Sequence, residues 1–486
     1  MPNGSLAGFK EKCKENLDAL HQAGMSVAVV QDGNAVFCEG FGWRDVDQKL
    51  PMSEKTLLPI GSATKSFTAT GVLMLQDEGL IDIDKPVREY MPELIFQDNA
   101  ATLEATARDL LCHRMGLPRH DFLWALRPNI GRLEIVKDIR KLEPNAPFRS
   151  VWQYNNLMFT SAGYLIEKLS GKRWEDFTRE RIFDPLGMKR ANFNCEDSVI
   201  DGDFALAYNR DSKTLDLDAV SYTRVTANGP AGSINASAEE LLGWLRFNLN
   251  KGVVGNSELI KSATFPQLIT PNIAYTLYPW EYPEIRSMGY GLGWFVDCYR
   301  GKTLVWHGGN VSGSTAMVAF MPELNIGMTA QVNTGGSALP IITMYDCFDR
   351  LMGYADAKDW GGEIGKAMDE FRAKAEEENK GKADKRKPIR TARDFADFEG
   401  VYRNDPYGTV KVQLKDGKQT VVLLEGRHAL ENWHYDVFTA HISMEMSELD
   451  LEMNFITGQS GDIEALEVQL EGPPVKPIRF NKEANA

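Results

Sequence analysis

The spacing of hydrophobic residues changes along the chain from a strand-like alternation to a helical repeat and back again. Residues 25–30 and 35–42 are rich in apolar side chains, and the polar residues 31–34 between them predict a hairpin. Helices are predicted at residues 6–22, 63–76, 106–116, 159–170 and 174–183. Strand-like runs return at residues 291–297, 303–307, 314–320 and 326–333. This order predicts an α+β domain, an antiparallel sheet flanked by helices, with an all-helical insertion at about residues 85–225.

The last quarter of the chain has a different pattern. Residues 361–392 are dense in charged side chains and predict a surface helix followed by a linker at residues 381–388. Beyond them apolar and polar residues alternate, as in residues 410–414. We therefore predict two domains, residues 1–360 and residues 393–486, of which the second is a small all-β barrel or meander.

Composition narrows the class of protein. The chain has 486 residues with 43% hydrophobic and 25% charged side chains, which is typical of a globular protein of two or three domains. A net charge of −14 argues against nucleic acid and anionic membranes as main partners. The six cysteines form no C-x-x-C pair, and the N-terminus has no apolar leader, so we predict a cytoplasmic protein. No metal-binding or phosphate-binding motif is present, which predicts no metal and no cofactor.

The central motif of the chain is Ser-x-x-Lys at Ser62 and Lys65. Gly61 ends a turn, the following residues 63–76 form a mostly apolar helix, and Gly79 ends that helix. In a helix, residues three positions apart lie on the same face, so the Ser62 and Lys65 side chains would be neighbours. A desolvated lysine with a lowered pKa can take the proton of a serine hydroxyl. The motif alone fits equally a helix that begins with a solvated lysine.

A second motif, Tyr-x-Asn, lies before the predicted helix at residues 159–170. The pKa of Tyr154 would be lowered by a neighbouring ammonium, so that the phenol could act as a general base and later protonate a leaving group. Asn156 suits a substrate carbonyl and the Lys65 ammonium, because its amide both donates and accepts. Taken alone, the pair also fits a buried tyrosine beside a helix-capping asparagine.

A third motif, His307-Gly308-Gly309-Asn310, ends an apolar strand. His307 could hydrogen-bond the tyrosine or help to protonate the leaving group. Gly308 and Gly309 would let a substrate backbone lie along the strand. The backbone N–H groups of Ser62 and Asn310 are our candidates for the oxyanion hole of a tetrahedral intermediate.

In this order the three motifs resemble those of the serine β-lactamase and penicillin-binding-protein superfamily, on its class C β-lactamase-like branch. The resemblance covers about residues 6–355 and includes the sequence segments at residues 59–62, 79–87 and 107–117. It implies a β-lactamase/transpeptidase-like fold and an acyl-enzyme mechanism. Ser62 would attack, Lys65 and Tyr154 would move protons, and water would release the acyl group.

The third motif departs from the class C pattern, because His-Gly-Gly stands in place of Lys-Thr-Gly. The histidine form is similar to that of D-aminopeptidases, esterases and acyltransferases, which implies weak β-lactamase activity at most. Residues 395–408 resemble the start of a lipocalin-like domain. The implied substrates are short peptides or amides with D-residues, or small esters. Acyl transfer, thioester cleavage, or slow penicillin-type ligand binding on the same site stay open, as does a homo-oligomer.

Overall fold

The computed structural model describes residues 4–483 except 212–213, 223–224, 277–281, 356, 384–386, 388, 416, 425, 445–446 and 472–474. The α-helices are α1 (Phe9–Ala19), α2 (Thr64–Asp77), α3 (Asn99–Glu104), α4 (Ala107–Leu111), α5 (Phe122–Ala125), α6 (Arg132–Asp138), α7 (Asn156–Ser170), α8 (Trp174–Thr178), α9 (Asp184–Leu186), α10 (Cys195–Asp201), α11 (Gly229–Gly232), α12 (Ala238–Leu249), α13 (Pro266–Ile269), α14 (Leu339–Leu351) and α15 (Trp360–Ala383). A π-helical turn, Arg179–Phe183, joins α8 to α9.

The strands of the first domain are β1 (Gly24–Gln31), β2 (Asn34–Asp45), β3 (Leu50–Pro51), β4 (Leu58–Pro59), β5 (Ala207–Arg210), β6 (Leu217–Val220), β7 (Asn235–Ala236), β8 (Val253–Val254), β9 (Ser257–Glu258), β10 (Ile285–Tyr290), β11 (Phe295–Tyr299), β12 (Lys302–Val311), β13 (Ser314–Met321) and β14 (Ile326–Val332). Those of the barrel are β15 (Gly400–Asn404), β16 (Gly408–Lys415), β17 (Lys418–Leu423), β18 (Gly426–His434), β19 (Val437–Met444), β20 (Ser447–Thr457), β21 (Ile463–Val468) and β22 (Ile478–Lys482).

One antiparallel sheet of eight strands, in the order β10-β11-β12-β13-β14-β1-β2-β3, forms the centre of the first domain. The predicted hairpin is β1–β2, and β1 also pairs with β14, Met25 lying opposite Val332. This pairing joins the two ends of the domain across the sheet. The strand–helix–strand order predicted from the hydrophobic pattern is therefore confirmed. The segment predicted as an all-helical insertion, at about residues 85–225, contains α3 to α10 but is not all-helical, because the hairpin β5–β6 also lies in it.

The predicted strand at residues 291–297 is wrong in its first half. Residues 291–294 form a turn between β10 and β11, closed by the N–H of Gly291 donating to the carbonyl of Trp294. Gly293 has a φ of +71°, and a Cβ on it would lie 2.7 Å from the carbonyl oxygen of Lys65. The turn packs against the start of α2, and this contact between distant segments is not visible in the local apolar pattern.

Helix α2 is the buried centre of the first domain. Every residue from Thr64 to Leu75 is buried, including Lys65 and the hydroxyl side chains of Thr64, Ser66, Thr68 and Thr70, so the helix is enclosed on all sides and not along one apolar stripe. The ring of Phe67 stacks on Trp244 of α12 with 3.7 Å between ring centroids. The helix is preceded by a 3₁₀ turn, Gly61–Ala63, in which Gly61 has a φ of +51°.

The C-terminal strands β15–β22 close into an eight-stranded barrel, which confirms the predicted all-β architecture. Aromatic side chains pack inside it, where the ring of Phe398 lies 5.0 Å from Phe438 and 4.9 Å from Phe455, and a cavity of about 370 Å³ is lined in part by Phe398 and Phe438. The charged segment forms the predicted helix, α15, whereas much of the predicted linker at 381–388 lies outside the described residues. The likeness of the barrel to lipocalins stays a prediction.

We expect Phe67→Ala to lower the free energy of unfolding of the first domain by about 3–5 kcal/mol, because it leaves a cavity between α2 and α12. Urea unfolding followed by tryptophan fluorescence measures the change. Phe371→Ala is the matched control, because Phe371 on α15 is 58% exposed and its loss should cost no more than about 0.5 kcal/mol. Equal effects of the two substitutions would contradict the central position of α2.

Candidate active site

Ser62 and Lys65 lie in contact at the start of α2. The Lys65 Nζ is 2.9 Å from the Ser62 Oγ and donates to the carbonyl oxygen of Ala231 at 2.7 Å. The serine is half-buried, whereas the lysine has no solvent-exposed surface. The helical spacing of Ser-x-x-Lys therefore brings the two groups together.

The Lys65 amine has little stabilisation for a positive charge. Burial, and then the nearby Arg119 guanidinium, hold the pKa of Lys65 well below its ordinary value. The one carboxylate that opposes this shift is Asp121. The lowered pKa favours the neutral amine, which is the form that can accept a proton.

Tyr154 completes the group around the nucleophile. Its hydroxyl hydrogen-bonds with the Ser62 side chain, and its ring lies 4.7 Å from the Lys65 Nζ. Burial raises the pKa of Tyr154, and the contacts with Ser62 and Arg119 offset only part of this rise. The phenol is thus a proton donor in this state, in contrast to the lowered pKa expected from its neighbouring ammonium.

His307 is buried on β12 and hydrogen-bonds a tyrosine other than the expected one. Its Nε2 lies 3.0 Å from the hydroxyl of Tyr290, and its Nδ1 lies 2.6 Å from the carbonyl oxygen of Gly308. A carbonyl can only accept, so Nδ1 carries the proton and Nε2 accepts from Tyr290. Burial, and then Lys65, lower the pKa of His307 to about 3, so this side chain is neutral and does not serve as an acid at neutral pH.

Two glycines allow β12 to approach the nucleophile. A Cβ on Gly309 would lie 2.7 Å from the backbone nitrogen of Ser62, and one on Gly61 would lie 2.6 Å from the backbone nitrogen of Asn310. The ladder between β11 and β12 ends at the pair Phe295–Trp306, whereas β12 continues to Val311. The two N–H groups predicted for an oxyanion hole are therefore neighbours at a strand edge that β11 leaves open.

Asn156 is the first residue of α7, and the preceding Asn155 caps that helix. The Asn156 Nδ2 donates to the Oδ1 of Asp121 at 3.0 Å, while the hydrogen bonds described for Lys65 go to Ser62 and Ala231. Since the carboxylate only accepts, it fixes the orientation of the Asn156 amide. The Asn156 Oδ1 is buried and has no partner among the described residues, which leaves it available to a substrate donor.

Sequence reasoning missed three neighbouring residues, Arg119, His120 and Asp121. The Arg119 guanidinium lies 5.1 Å from the ring centroid of Tyr154, and its Nε donates to the Oδ2 of Asp121 at 2.7 Å. They follow the predicted helix at 106–116 in an irregular segment without helical or strand-like periodicity. The signal in the sequence was an arginine and an aspartate two residues apart, Arg119 and Asp121. This pattern is too common to indicate a functional site.

The barrel touches this same segment. The Tyr407 hydroxyl of the barrel lies 2.5 Å from the Nδ1 of His120, and the Oε1 of Glu471 accepts from the backbone N–H of Phe122 at 3.4 Å. Burial, and then Asp121, raise the pKa of Glu471 to about 7. The barrel thus supports the segment that carries Arg119 and Asp121.

A cavity of about 540 Å³ lies close to the turn before α2, and its lining includes none of Ser62, Lys65 and Tyr154. It is lined by Gly232 and Ser233, which directly follow the Lys65 acceptor Ala231, and by Val311 at the end of β12. Apolar side chains such as Phe193 and Val199 form part of its wall, while Arg173 and Glu175 supply charge.

Within the part of the chain that the structure describes, no cluster of three or more histidine, cysteine or carboxylate side chains could hold a metal ion. None of the helices described there is both long and apolar enough to cross a bilayer. The expectations of no metal, no cofactor and a cytoplasmic location stay predictions.

Comparison with known proteins gives the family. Residues 9–341 match the β-lactamase family, and residues 384–482 match a domain of unknown function, DUF3471. The chain is 30% identical to Unguisins hydrolase ungD' of Aspergillus campestris over 370 residues, which are 72% of this chain and 67% of the relative. It is 26% identical to Unguisins hydrolase ungD of Aspergillus violaceofuscus over 493 residues, 93% of this chain and 86% of the relative.

Solved structures share the fold at lower identity. The octameric penicillin-binding protein homologue from Pyrococcus abyssi superposes with a TM-score of 0.64 at 22% identity, covering 98% of this chain and 100% of the other. The D-amino acid amidase from Ochrobactrum anthropi SV3 superposes with a TM-score of 0.58 at 21% identity, covering 71% of this chain and 98% of the other. The chain belongs to the β-lactamase family and is a serine hydrolase of that family with a C-terminal barrel.

We expect Gly309→Ala to reduce kcat/KM by about 10²-fold or more, because the added methyl would displace the Ser62 N–H from the oxyanion position. Steady-state kinetics on an activated ester measures this. Gly365→Ala on α15 is the control, since a Cβ there has no neighbour within 4 Å. Full activity of the Gly309 variant would place the oxyanion donors elsewhere.

Proposed function

We propose that this hydrolase cleaves amide bonds in short peptides or amino-acid amides that contain D-residues, through an acyl-enzyme on Ser62. The observation that carries the proposal is a fully buried lysine amine in contact with the serine hydroxyl. Amide chemistry is supported by the name of a structural neighbour, which is a D-amino acid amidase, and hydrolysis by the names of two relatives, which are Unguisins hydrolases. The Tyr154 phenol supports it further, because an amine leaving group needs a proton donor and an activated ester does not.

In the proposed acylation the neutral Lys65 amine accepts the proton of the Ser62 hydroxyl while Oγ forms a bond to the substrate carbonyl carbon. The carbonyl π electrons move to oxygen, and the N–H groups of Ser62 and Asn310 stabilise the resulting oxyanion. When the oxyanion collapses, the C–N bond breaks and its electron pair stays on the leaving nitrogen. Tyr154 gives that nitrogen a proton and regains one from the Lys65 ammonium.

Deacylation repeats these steps with water as the nucleophile. A water molecule transfers a proton towards Lys65 through Tyr154 as its oxygen attacks the acyl carbon. The bond to Ser62 Oγ then breaks, and Oγ takes the proton back from Lys65. His307 has no proton-transfer role in this scheme; it holds Tyr290 and the backbone of Gly308 in place.

We expect Ser62→Ala to lower the turnover of D-alanine p-nitroanilide by about 10⁴-fold or more, because the alanine methyl has no oxygen that could attack the substrate carbonyl. Initial rates of the wild type and the variant are compared on D- and L-alanine p-nitroanilides, nitrophenyl butyrate and a chromogenic cephalosporin. Preference of the wild type for the D-anilide is the expected result.

Other outcomes of the same panel assign other functions. Turnover of the ester alone would replace the amidase by an esterase or an acyltransferase. A serine that is acylated for hours without turnover would indicate a slow ligand-binding protein. Near wild-type rates of the Ser62 variant would remove Ser62 as the nucleophile.

The pH dependence of kcat/KM should follow Lys65. A lowered pKa means that the free amine predominates above that pKa and is lost as the pH falls through it, so activity should be present at neutral pH and decline on the acid side. Lys65→Arg should reduce kcat/KM by about 10²–10⁴-fold at every pH, because a guanidinium does not accept a proton. A profile that rises only near the ordinary lysine pKa would contradict a neutral Lys65.

A further inference from the structure

His113 is a buried histidine in contact with the Tyr154 ring, and the acyl-enzyme steps give it no task. We propose that His113 is a positioning residue for the reaction. Its backbone carbonyl and its imidazole together hold residues 153–155, the Tyr154 loop, so that the phenol stays directed at Ser62 during proton transfer. This inference deepens the proposed function and rests on it.

The first argument is a pair of hydrogen bonds on either side of Tyr154. The backbone N–H of Gln153 donates to the carbonyl oxygen of His113 at 2.8 Å. The backbone N–H of Asn155 donates to the His113 Nδ1 at 3.1 Å. One residue thus accepts from both chain neighbours of Tyr154. A shift of the Tyr154 loop relative to His113 would strain or break these bonds.

The second argument is the packing of the imidazole on the ring that it positions. The ring centroids of His113 and Tyr154 lie 4.4 Å apart, and the Tyr290 centroid lies 4.9 Å from that of His113. The Tyr154 hydroxyl hydrogen-bonds with Ser62, and the Tyr290 hydroxyl with His307. His113 therefore contacts both tyrosines that bond to residues of the site.

The third argument is that His113 has an unfavourable conformation. Its φ of +62° lies in the left-handed region, which is uncommon for residues other than glycine. Because a backbone N–H only donates, Nδ1 holds the lone pair and Nε2 holds the proton of the neutral ring. That Nε2 is buried and has no hydrogen-bond partner among the residues that the structure describes. Strain and an unpaired polar group at one residue indicate a local requirement for this orientation, and its observed bonds are those to the Tyr154 loop.

The imidazole is suited to accept at all times. Burial, and then Lys65, hold the pKa of His113 well below its ordinary value. The ring is therefore neutral at neutral pH, and Nδ1 remains an acceptor for the Asn155 N–H.

The chain around His113 is itself anchored. The carboxylate of Asp109 is fully buried and accepts from Arg114 and, at 2.7 Å, from the Nη2 of Arg149. The backbone N–H of Arg149 donates to the carbonyl oxygen of Arg114 at 2.8 Å. The segment that leads to Tyr154 is therefore bonded to the residues around His113 at several points, and His113 holds the end that carries the phenol.

Two other roles make different predictions. If His113 only filled space in the core, its loss would reduce the amount of folded enzyme and leave the rate constants per active site unchanged. If its imidazole transferred protons, asparagine could not replace it, because an amide does not titrate in the neutral range. A positioning residue needs an acceptor at Nδ1 and a left-handed backbone, and asparagine supplies both.

The test compares His113→Asn with His113→Gly. Both side chains tolerate a positive φ, but only asparagine has an acceptor in place of Nδ1. Turnover of D-alanine p-nitroanilide is divided by the number of active sites, counted by labelling Ser62 to completion with a fluorophosphonate. We expect His113→Gly to lower kcat by about 10–100-fold with KM nearly unchanged, because proton transfer and not binding loses its geometry. His113→Asn should keep most of the wild-type kcat.

Tyr154→Phe is the matched control background. Without the phenol there is nothing for His113 to position, so the two His113 substitutions should give equal kcat values there. A difference between them that persists with Tyr154→Phe would overturn the proposal, as would equal kcat values in the Tyr154 parent. If the space left by His113→Gly unfolds the protein, His113→Leu replaces it, because leucine keeps apolar volume without an acceptor.

A measurement without turnover separates this inference from the proposed function. With 3-fluorotyrosine in place of Tyr154, the ¹⁹F resonance should be unchanged by His113→Asn and shifted or broadened by His113→Gly. That pattern, together with no hydrolysis of D-residue amides by the wild type, would refute the amidase and support the positioning role. Hydrolysis by the wild type, with kcat and the resonance insensitive to His113→Gly, would refute the positioning role and support the amidase.

Discussion

The site depends on keeping the Lys65 amine away from water while it stays in contact with Ser62. The amine has two hydrogen-bond partners, the Ser62 hydroxyl and the Ala231 carbonyl, and no solvent contact. An ammonium is costly in such a place, so burial favours the neutral amine, the form that can act as a base. The rest of the first domain provides this burial by surrounding α2 on all sides.

Close backbone contacts form the second constraint. Gly61, Gly293 and Gly309 lie where a Cβ would come within 3 Å of another segment's backbone. These three contacts join the nucleophile turn, the β10–β11 turn and strand β12 around Ser62. Small residues at these points let three backbones converge, and so place N–H groups, and not side chains, around the reacting oxygen.

The irregular segment after α4 links the barrel with this site. Its three consecutive residues have different partners: Arg119 lies beside Tyr154, His120 contacts Tyr407 of the barrel, and Asp121 holds Asn156. The barrel supports this segment through Tyr407 and through Glu471, which accepts from the backbone N–H of Phe122. Further barrel contacts lie at Arg127, Lys141 and Glu143, so its support of the first domain is not confined to this stretch.

By itself, the sequence determined the order of strands and helices, the all-β tail and the three motifs. These features are encoded locally: the period of apolar residues specifies the element, and three residues of helix suffice to place Lys65 beside Ser62. Tertiary structure alone decided the turn at residues 291–294 and the Tyr290 partner of His307. It also decided the role of Asp121, which lies 35 residues before Asn156. Each of these depends on contacts between segments far apart in the chain. The protonation states of Tyr154 and His307 follow from their burial, and burial cannot be seen in the sequence.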